Sequence, residues 1–221
     1  AKKKYSFSNW KPPKKTVLLV RRPALTEAHV RMGFLSLPRK NPDYYELRIA
    51  ETLLSGQFSS RLNNVIREKL QLTYSIDGSF NFGYTTGSFL VSSSTENKKV
   101  GLLIRETRKL LKDFVDLGVS EEELQLAKDY LVGSFPLGLQ NIYSVASAYF
   151  YGLQAGLEKQ FLDQYTTRIE AISREKLQYA VRKNFKLDEM ITLVVGNAAE
   201  VEPMLKKEKI SYVVREAQNY L

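Results

Sequence analysis

The chain has 221 residues, of which 43% are hydrophobic and 26% are charged, and it contains 33 Lys and Arg, 24 Asp and Glu, one His and no Cys. These values are ordinary for a globular protein and exclude wholesale disorder. The missing cysteines exclude a disulfide scaffold, a thiolate zinc site and a cysteine nucleophile, and the single His29 excludes a pair of imidazole zinc ligands. No apolar run reaches the roughly 18 residues that a membrane span requires.

Most of the net charge of +9 lies at the start of the chain. Residues 1–22 contain eight Lys and Arg and no acid, so the remaining residues contain 25 basic and 24 acidic side chains. The lysines of residues 1–15 stand among aromatic side chains, and such a mixture would suit single-stranded nucleic acid. A solvated connector is the simpler interpretation of this segment. We therefore expect a linker over residues 1–15, a single α+β domain over 16–221, and no nucleic-acid partner.

The hydrophobic pattern predicts strands in blocks with a run of helices between them. Apolar and β-branched runs predict strands at 16–20, 28–37, 190–196 and 210–214, and a hairpin of 74–82 and 86–94. Helical patterns cover 41–56, 62–70, 95–118, 120–135, 141–152, 158–171 and 174–185, with Asn41, Thr95 and Ser120 as candidate caps and Gly56 and Gly118 as candidate ends. This order predicts an α+β fold, a mostly antiparallel sheet of about five or six strands covered by a layer of helices.

Several polar or aromatic groups have simple structural interpretations. His29 stands on what the alternation predicts to be a solvent-exposed strand face, and no G-x-S-x-G motif accompanies it. The run Glu121–Glu123 falls in the first turn of a helix, where carboxylates complement the dipole, and Ser120 with Glu123 predicts a capping box. One predicted helix carries four aromatics that could line a groove, although helix packing explains them more simply: Tyr143, Tyr149, Phe150 and Tyr151.

One local arrangement has the groups of an oxyanion site. Arg67 falls near the end of a predicted helix, and Tyr74, seven residues later, opens a predicted strand. A guanidinium and a phenol that leave the same helix-to-strand corner can converge on one oxygen, and because both are donors they suit a carbonyl or a developing oxyanion. The alternative is that Arg67 binds helix carbonyls and Tyr74 covers the core.

Four blocks in a fixed order surround this pair. They are Ala28-x-Val30-Arg31-x-Gly33 with Leu37-Pro38-Arg39; Asp43-Tyr44-Tyr45 through Leu53-Leu54-Ser55-Gly56-x-Phe58-Ser59-Ser60-Arg61-Leu62; Arg67-Glu68-Lys69-x-x-Leu72-x-Tyr74-Ser75; and Gly118-Val119-Ser120-Glu121-Glu122-Glu123-Leu124 with Gly133-Ser134-Phe135-Pro136-Leu137. With these blocks the sequence closely resembles, over roughly residues 16–200, the pitrilysin/insulinase family of zinc metallopeptidases (inverzincins). More narrowly, it resembles the family's domain that lacks the H-x-x-E-H zinc motif.

The resemblance implies two homologous α+β halves that close around a peptide. One half holds zinc through H-x-x-E-H and a further glutamate, and the motif glutamate is the general base. The other half supplies an Arg/Tyr pair with the spacing of Arg67 and Tyr74, in which Tyr74 would donate to the tetrahedral oxyanion and Arg67 to a substrate carbonyl or in support of the tyrosine.

This chain is therefore expected to be the non-zinc half of a zinc-dependent endopeptidase, inactive alone and without a metal of its own. Its expected partners are a homologous zinc-bearing half, in the same polypeptide or another subunit, and a peptide or unfolded protein substrate. The alternative is a catalytically inactive family member that acts as a structural or peptide-binding subunit. We interpret the chain, which starts with Ala, as a piece of a longer, soluble protein of the bacterial cytoplasm or periplasm.

The sequence departs from the resemblance at one position of the corner. Relatives commonly have a glycine after Arg-Glu-Lys-Arg, which suits a helix end with positive φ, whereas this chain has Leu70-Gln71. A glutamine in that backbone state costs about 1 kcal/mol more than a glycine.

Overall fold

Strands from both ends of the described chain pair in one sheet. The structure is a computed structural model that describes residues 17–216, so the predicted linker over 1–15 lies outside the described residues. The strands are β1 (Val17–Arg21), β2 (Glu27–Ser36), β3 (Ile76–Phe82), β4 (Gly87–Glu96), β5 (Ile191–Gly196) and β6 (Tyr212–Glu216). Their order across the sheet is β3-β4-β2-β5-β1-β6.

The sheet has an antiparallel part and a parallel part. Strands β3, β4, β2 and β5 pair antiparallel in that order, whereas β1 pairs parallel with both β5 and β6. The sheet is therefore mixed and mostly antiparallel, which confirms the predicted α+β class.

Helices cover one face of the sheet. The α-helices of residues 17–216 are α1 (Tyr44–Glu51), α2 (Val100–Leu117), α3 (Glu121–Ser134), α4 (Ile142–Gln154), α5 (Tyr165–Glu170), α6 (Arg174–Asn184) and α7 (Ala198–Lys207). The side chains of β2 alternate between buried and exposed, as expected for a sheet with one covered face, and Phe89, Phe114 and Phe185 meet beneath it. No helix in this part of the chain is long and apolar enough to cross a membrane.

Two helical segments have the wider π geometry. The pattern predicted over 41–56 forms α1 followed by a π-helical turn, Thr52–Gly56, and the next pattern forms a π-helix, Asn63–Lys69. The first helix starts at Tyr44 rather than at the predicted Asn41-Pro42, because the Asn41 side chain accepts from the Asp43 backbone N–H at 2.9 Å and closes a turn before the helix.

Three other details differ from the sequence prediction. Thr95 does not cap α2 but lies in β4, and α2 begins at Val100 after a 3₁₀ turn, Asn97–Lys99. The helix predicted over 158–171 is divided into a 3₁₀ turn, Lys159–Phe161, and α5. The segment before β6 contains α7, which the sequence reading did not predict. The predicted end of α2 is confirmed, since Gly118 has a φ of 75°.

Candidate functional site

The corner between the π-helix and β3 has the left-handed turn that a glycine would favour. Gln71 occupies this turn with a φ of 50°. The Leu72 N–H donates to the Ile66 carbonyl at 3.1 Å and the Leu70 N–H donates to the Val65 carbonyl at 3.0 Å, so two carbonyls near the end of the helix are satisfied. The chain therefore turns at this corner without a glycine. Gln71, the residue in the position where relatives have the glycine, carries the backbone strain.

The segment after this turn is tied to the end of β4 by hydroxyl groups. The Thr95 hydroxyl donates to the Leu72 carbonyl at 2.5 Å. The Thr73 hydroxyl oxygen is 2.6 Å from the Ser94 carbonyl oxygen and 2.8 Å from the Ser75 carbonyl oxygen, within donating distance of both, and it accepts from the Ser93 hydroxyl at 3.0 Å. Residues 72–75 therefore keep a fixed backbone path although β3 begins only at Ile76, two residues after the predicted start.

Tyr74 leaves this fixed backbone as a free side chain. It is 91% exposed. The prediction that Tyr74 and Arg67 share a corner agrees with the structure, whereas the alternative that Tyr74 covers the core is wrong. A phenol in this position is available to donate to a molecule outside the described chain.

Arg67 lies near the end of the π-helix with weak partners. Its Nε is 3.3 Å from a carboxylate oxygen of Glu68, and its guanidinium carbon is 5.1 Å from the centre of the Phe58 ring. The Arg67 side chain is 40% exposed and that of Glu68 is 47% exposed, so solvent screens this ion pair and its contribution is small. Arg67 does not bind helix carbonyls among the described hydrogen bonds, which removes the alternative considered for it.

Arg67 and Tyr74 line the same pocket, of about 360 Å³. Its wall also includes Gln71, Lys99 and the exposed Glu96, and the Lys99 ammonium is 2.6 Å from the Glu96 carboxylate. The Arg67 guanidinium and the Tyr74 phenol are thus two donors on one concave surface, one charged and one neutral. Such a pair can bind a carbonyl oxygen or an oxyanion that enters from outside.

A second arginine, Arg61, is held by hydrogen bonds within the chain. Its Nε and one terminal nitrogen donate to the two carboxylate oxygens of Glu123, at 2.9 and 2.8 Å, and that nitrogen also donates to the Gly118 carbonyl at 2.9 Å. Glu123 and Ser120 form the predicted capping box of α3. Burial acts to raise the pKa of Glu123, but the hydrogen bonds from Arg61 and Ser120 outweigh it and hold the pKa below its ordinary value.

The remaining sequence candidates have the following positions. His29 is on the exposed face of β2, as predicted, and its Nδ1 is 2.8 Å from the Ser94 hydroxyl oxygen. Tyr143, Phe150 and Tyr151 are exposed, so the expectation that helix packing buries them is wrong for these three; Tyr149 does pack against Phe161.

The sequence analysis did not predict the hydroxyl groups that fix the backbone of residues 72–75. The run Ser92-Ser93-Ser94-Thr95 at the end of a predicted strand was the available signal, because hydroxyls at a strand end readily bond neighbouring backbone groups.

In the part of the chain that the structure describes, no group of three or more His, Asp and Glu side chains could hold a metal ion. These residues do not fit a zinc ion.

The family assignment follows from comparison with known proteins. The model of the family described as the peptidase M16 inactive domain matches residues 1–131. This match covers more than half of the chain, and the chain therefore belongs to that family. The membership confirms the resemblance to the non-zinc domain of a zinc metallopeptidase family.

Two bacterial proteins are similar to this chain in sequence. The chain is 26% identical over 159 residues to the non-peptidase homolog YmxG of Helicobacter pylori, covering 70% of this chain and 36% of that protein. It is 26% identical over 185 residues to the uncharacterized zinc protease YmxG of Bacillus subtilis, covering 83% of this chain and 45% of that protein.

A solved structure has the same fold. The crystal structure of a peptidase M16 inactive domain from Pseudomonas fluorescens superposes with a TM-score of 0.75 at 20% identity, over 85% of this chain and 45% of that one. The chain spans less than half the length of each of these three proteins.

Proposed function

We propose that this chain is the non-zinc half of a zinc-dependent endopeptidase. In this role it closes over a peptide or unfolded protein while a homologous partner half, in the same polypeptide or another subunit, carries the zinc and the general base. The observation that carries the proposal is the common pocket of Arg67 and Tyr74, two donors with weak or no partners among residues 17–216. Because the reported relatives are bacterial proteins, the proposal keeps the bacterial cytoplasm or periplasm as the compartment of this chain.

Tyr74 is assigned to the oxyanion. Its phenol is neutral, so it can donate a hydrogen bond as negative charge develops on the substrate oxygen in the transition state. A donor of this kind acts on the transition state more than on the bound substrate, and its loss lowers kcat by roughly 100- to 1000-fold. The hydroxyl network of Thr73 holds the backbone on both sides of Tyr74, so the backbone position from which the phenol projects is fixed before substrate arrives.

Arg67 is assigned to a substrate carbonyl or to the support of Tyr74. The guanidinium carries a permanent charge, and its hydrogen bond to a neutral carbonyl is formed in the ground state as well as the transition state. Its removal is therefore expected to raise KM. The π geometry of the helix that carries Arg67 is itself uncommon and frequent at functional sites, which supports this assignment.

The decisive experiment pairs the chain with its zinc-bearing half and compares Tyr74→Phe with Tyr143→Phe. Tyr143 is 81% exposed and therefore a matched control for a surface phenol. We expect kcat to fall roughly 100-fold or more for Tyr74→Phe with an unchanged melting temperature, and to stay unchanged for the control. Equal turnover of Tyr74→Phe and wild type would overturn the role of Tyr74, and stoichiometric, chelator-sensitive peptidase activity of the chain alone would overturn the proposal.

A second candidate function is a structural or peptide-binding subunit without catalysis. The name of the Helicobacter pylori relative, a non-peptidase homolog, favours it. An H-x-x-E-H motif in the partner half supports the peptidase. A partner half without this motif, in a complex that binds peptide and never cleaves it, supports the subunit.

A further inference from the structure

A pocket of about 550 Å³ lies at the other end of β3 from Tyr74, beside the turn between β3 and β4. The seven residues of β3 separate the two sites by about 20 Å at 3.3 Å per residue. The pocket is formed between α1, α4, α5 and this turn. Its lining includes Arg39, Arg48, Phe82, Tyr84, Tyr151 and Tyr165.

The charges around this pocket do not balance. Arg48 is paired with Glu51, at 2.5 Å between nitrogen and carboxylate oxygen. Arg39 stacks on Tyr44, with 3.3 Å between the guanidinium carbon and the ring centre, and has no carboxylate partner among residues 17–216. Stacking occupies the faces of the guanidinium and leaves its N–H edges for an acceptor. Two guanidinium groups and one carboxylate therefore leave one positive charge.

The two buried phenols of the pocket, Tyr44 and Tyr165, are neutral and add no negative charge to it. Burial raises the pKa of Tyr44 to about 12, even though Arg39 and Arg48 act to lower it. Burial likewise raises the pKa of Tyr165, against the same two arginines. Arg39, Arg48, Tyr44 and Tyr165 all line this pocket. Neither Asp nor Glu is among the described residues that line this pocket.

The outer wall of the pocket is apolar and aromatic. Helix α4 approaches Phe161 through Gly152, where a Cβ would lie 2.2 Å from the Phe161 ring. Tyr151, the chain neighbour of Gly152, and Tyr84 both line the pocket, and each side chain is 66% exposed. A guanidinium group and exposed aromatic rings in the lining of one pocket match a ligand that has an anionic end and an apolar body.

We propose that this pocket binds a carboxylate carried on an aromatic or apolar group, with Arg39 as the residue that binds the carboxylate. A single unbalanced guanidinium matches a monoanion, and its planar fork matches the two carboxylate oxygens. The carboxyl terminus of a peptide that ends in an aromatic residue and a free aromatic acid share this chemistry. The proposal goes beyond the proposed function, because it uses neither the zinc-bearing half nor Arg67 and Tyr74.

The first test is calorimetric titration of this chain with a short peptide that ends in phenylalanine, with the same peptide as its carboxyl-terminal amide, and with N-acetyl-L-phenylalanine. We expect saturable binding of the free acid and at least about tenfold weaker binding of the amide, since the charge-assisted hydrogen bonds are lost. Binding of the peptide alone identifies a peptide terminus as the source, and binding of N-acetyl-L-phenylalanine as well identifies the free acid group as sufficient. Equal affinity for acid and amide, or no saturable binding of either acid, overturns the proposal, as does tighter binding of phenyl phosphate.

The second test compares Arg39→Gln with Arg31→Gln as a matched loss of one charge. Arg31 lies on the exposed face of β2, and its side chain donates to the Val30 carbonyl at 3.2 Å. Arg39→Gln is expected to weaken binding of the free acid roughly 10- to 100-fold and to leave the weak binding of the amide unchanged, while Arg31→Gln changes neither. An equal loss in both variants would mean attraction by net charge alone and would overturn the proposal. The comparison of acid and amide in the unmodified chain needs no variant and decides the matter if Arg39→Gln fails to fold.

Discussion

Two arginines six residues apart on the same helical segment meet opposite environments. Arg61 donates to both oxygens of Glu123 and to the Gly118 carbonyl, so it joins the start of this segment to the loop before α3. Arg67 has a screened contact with Glu68 and lines a pocket with Tyr74. The difference teaches that residue type alone does not indicate the role of an arginine, because Arg61 is held by internal hydrogen bonds whereas Arg67 has only a weak partner among the described residues.

Replacing Arg61 tests the structural side of this comparison and has the largest expected effect on stability. Arg61→Gln removes a bidentate pair and a bond to Gly118, so we expect the free energy of unfolding to fall by about 1–2 kcal/mol. Chemical denaturation of this variant and of Arg67→Gln measures the contrast. Arg67→Gln should stay within about 0.5 kcal/mol of the unmodified chain, as expected for a screened surface pair. Equal losses in the two variants would contradict the assignment of Arg61 to structure and Arg67 to function.

The strained residue between Arg67 and Tyr74 in the sequence, Gln71, gives the next largest effect on stability, with the opposite sign. Gln71→Gly places the residue without a Cβ at a φ of 50°, and we expect stability to rise by up to about 1 kcal/mol. Part of this gain is offset because glycine also loosens the unfolded chain. The melting temperature is the measurement, and Gln57→Gly is the control, because Gln57 has a φ of −138° that any residue adopts. A gain in the control as large as that at Gln71 would contradict strain as the cause.

The pH dependence of the Arg61 contact gives the smallest effect. The pKa of Glu123 lies below its ordinary value of 4.5 in the folded chain, so the unfolded chain binds this proton more readily. The stabilisation is therefore complete above about pH 4.5 and is lost as pH falls through the lower folded pKa. Denaturation of the unmodified chain and Arg61→Gln between about pH 3 and pH 7 should show the difference in stability narrowing at the acid end. A constant difference over that range would contradict this account.

The sequence predicted the fold where local patterns and tertiary packing agree. The strands of the antiparallel part, the Gly118 helix end and the Ser120–Glu123 capping box follow from alternation, φ preference and short-range hydrogen bonds. It missed α7 because Pro203 lies inside that helix and normally argues against one. The prediction of Thr95 as a cap failed because β4 continues through Glu96 and α2 begins only at Val100, so Thr95 is not at the start of a helix. Its hydroxyl instead donates to the Leu72 carbonyl.

The candidate site was predictable in its residues and not in its support. The seven-residue separation of Arg67 and Tyr74 across a helix-to-strand corner is visible in the sequence. The bonds of Thr73 to Ser93 and Ser94 depend on the register between the corner and β4, which no short-range pattern specifies. The pocket around Arg39 was missed for the same reason, since α1, α4 and α5 come together only in the folded chain.

The position of β1 in the sheet bears on how the chain folds as it is synthesised. The strand nearest the beginning of the described chain lies between β5 and β6, the two strands nearest its end. About 170 residues follow Arg21, the end of β1, before the first neighbour of that strand begins, since β5 starts at Ile191 and β6 at Tyr212. The β2, β3 and β4 part can form early from nearby segments, while β1 keeps both edges unpaired until late. A growing chain therefore keeps the apolar strand β1 unpaired during most of its synthesis. The sheet is completed only after β5 and β6 have been made.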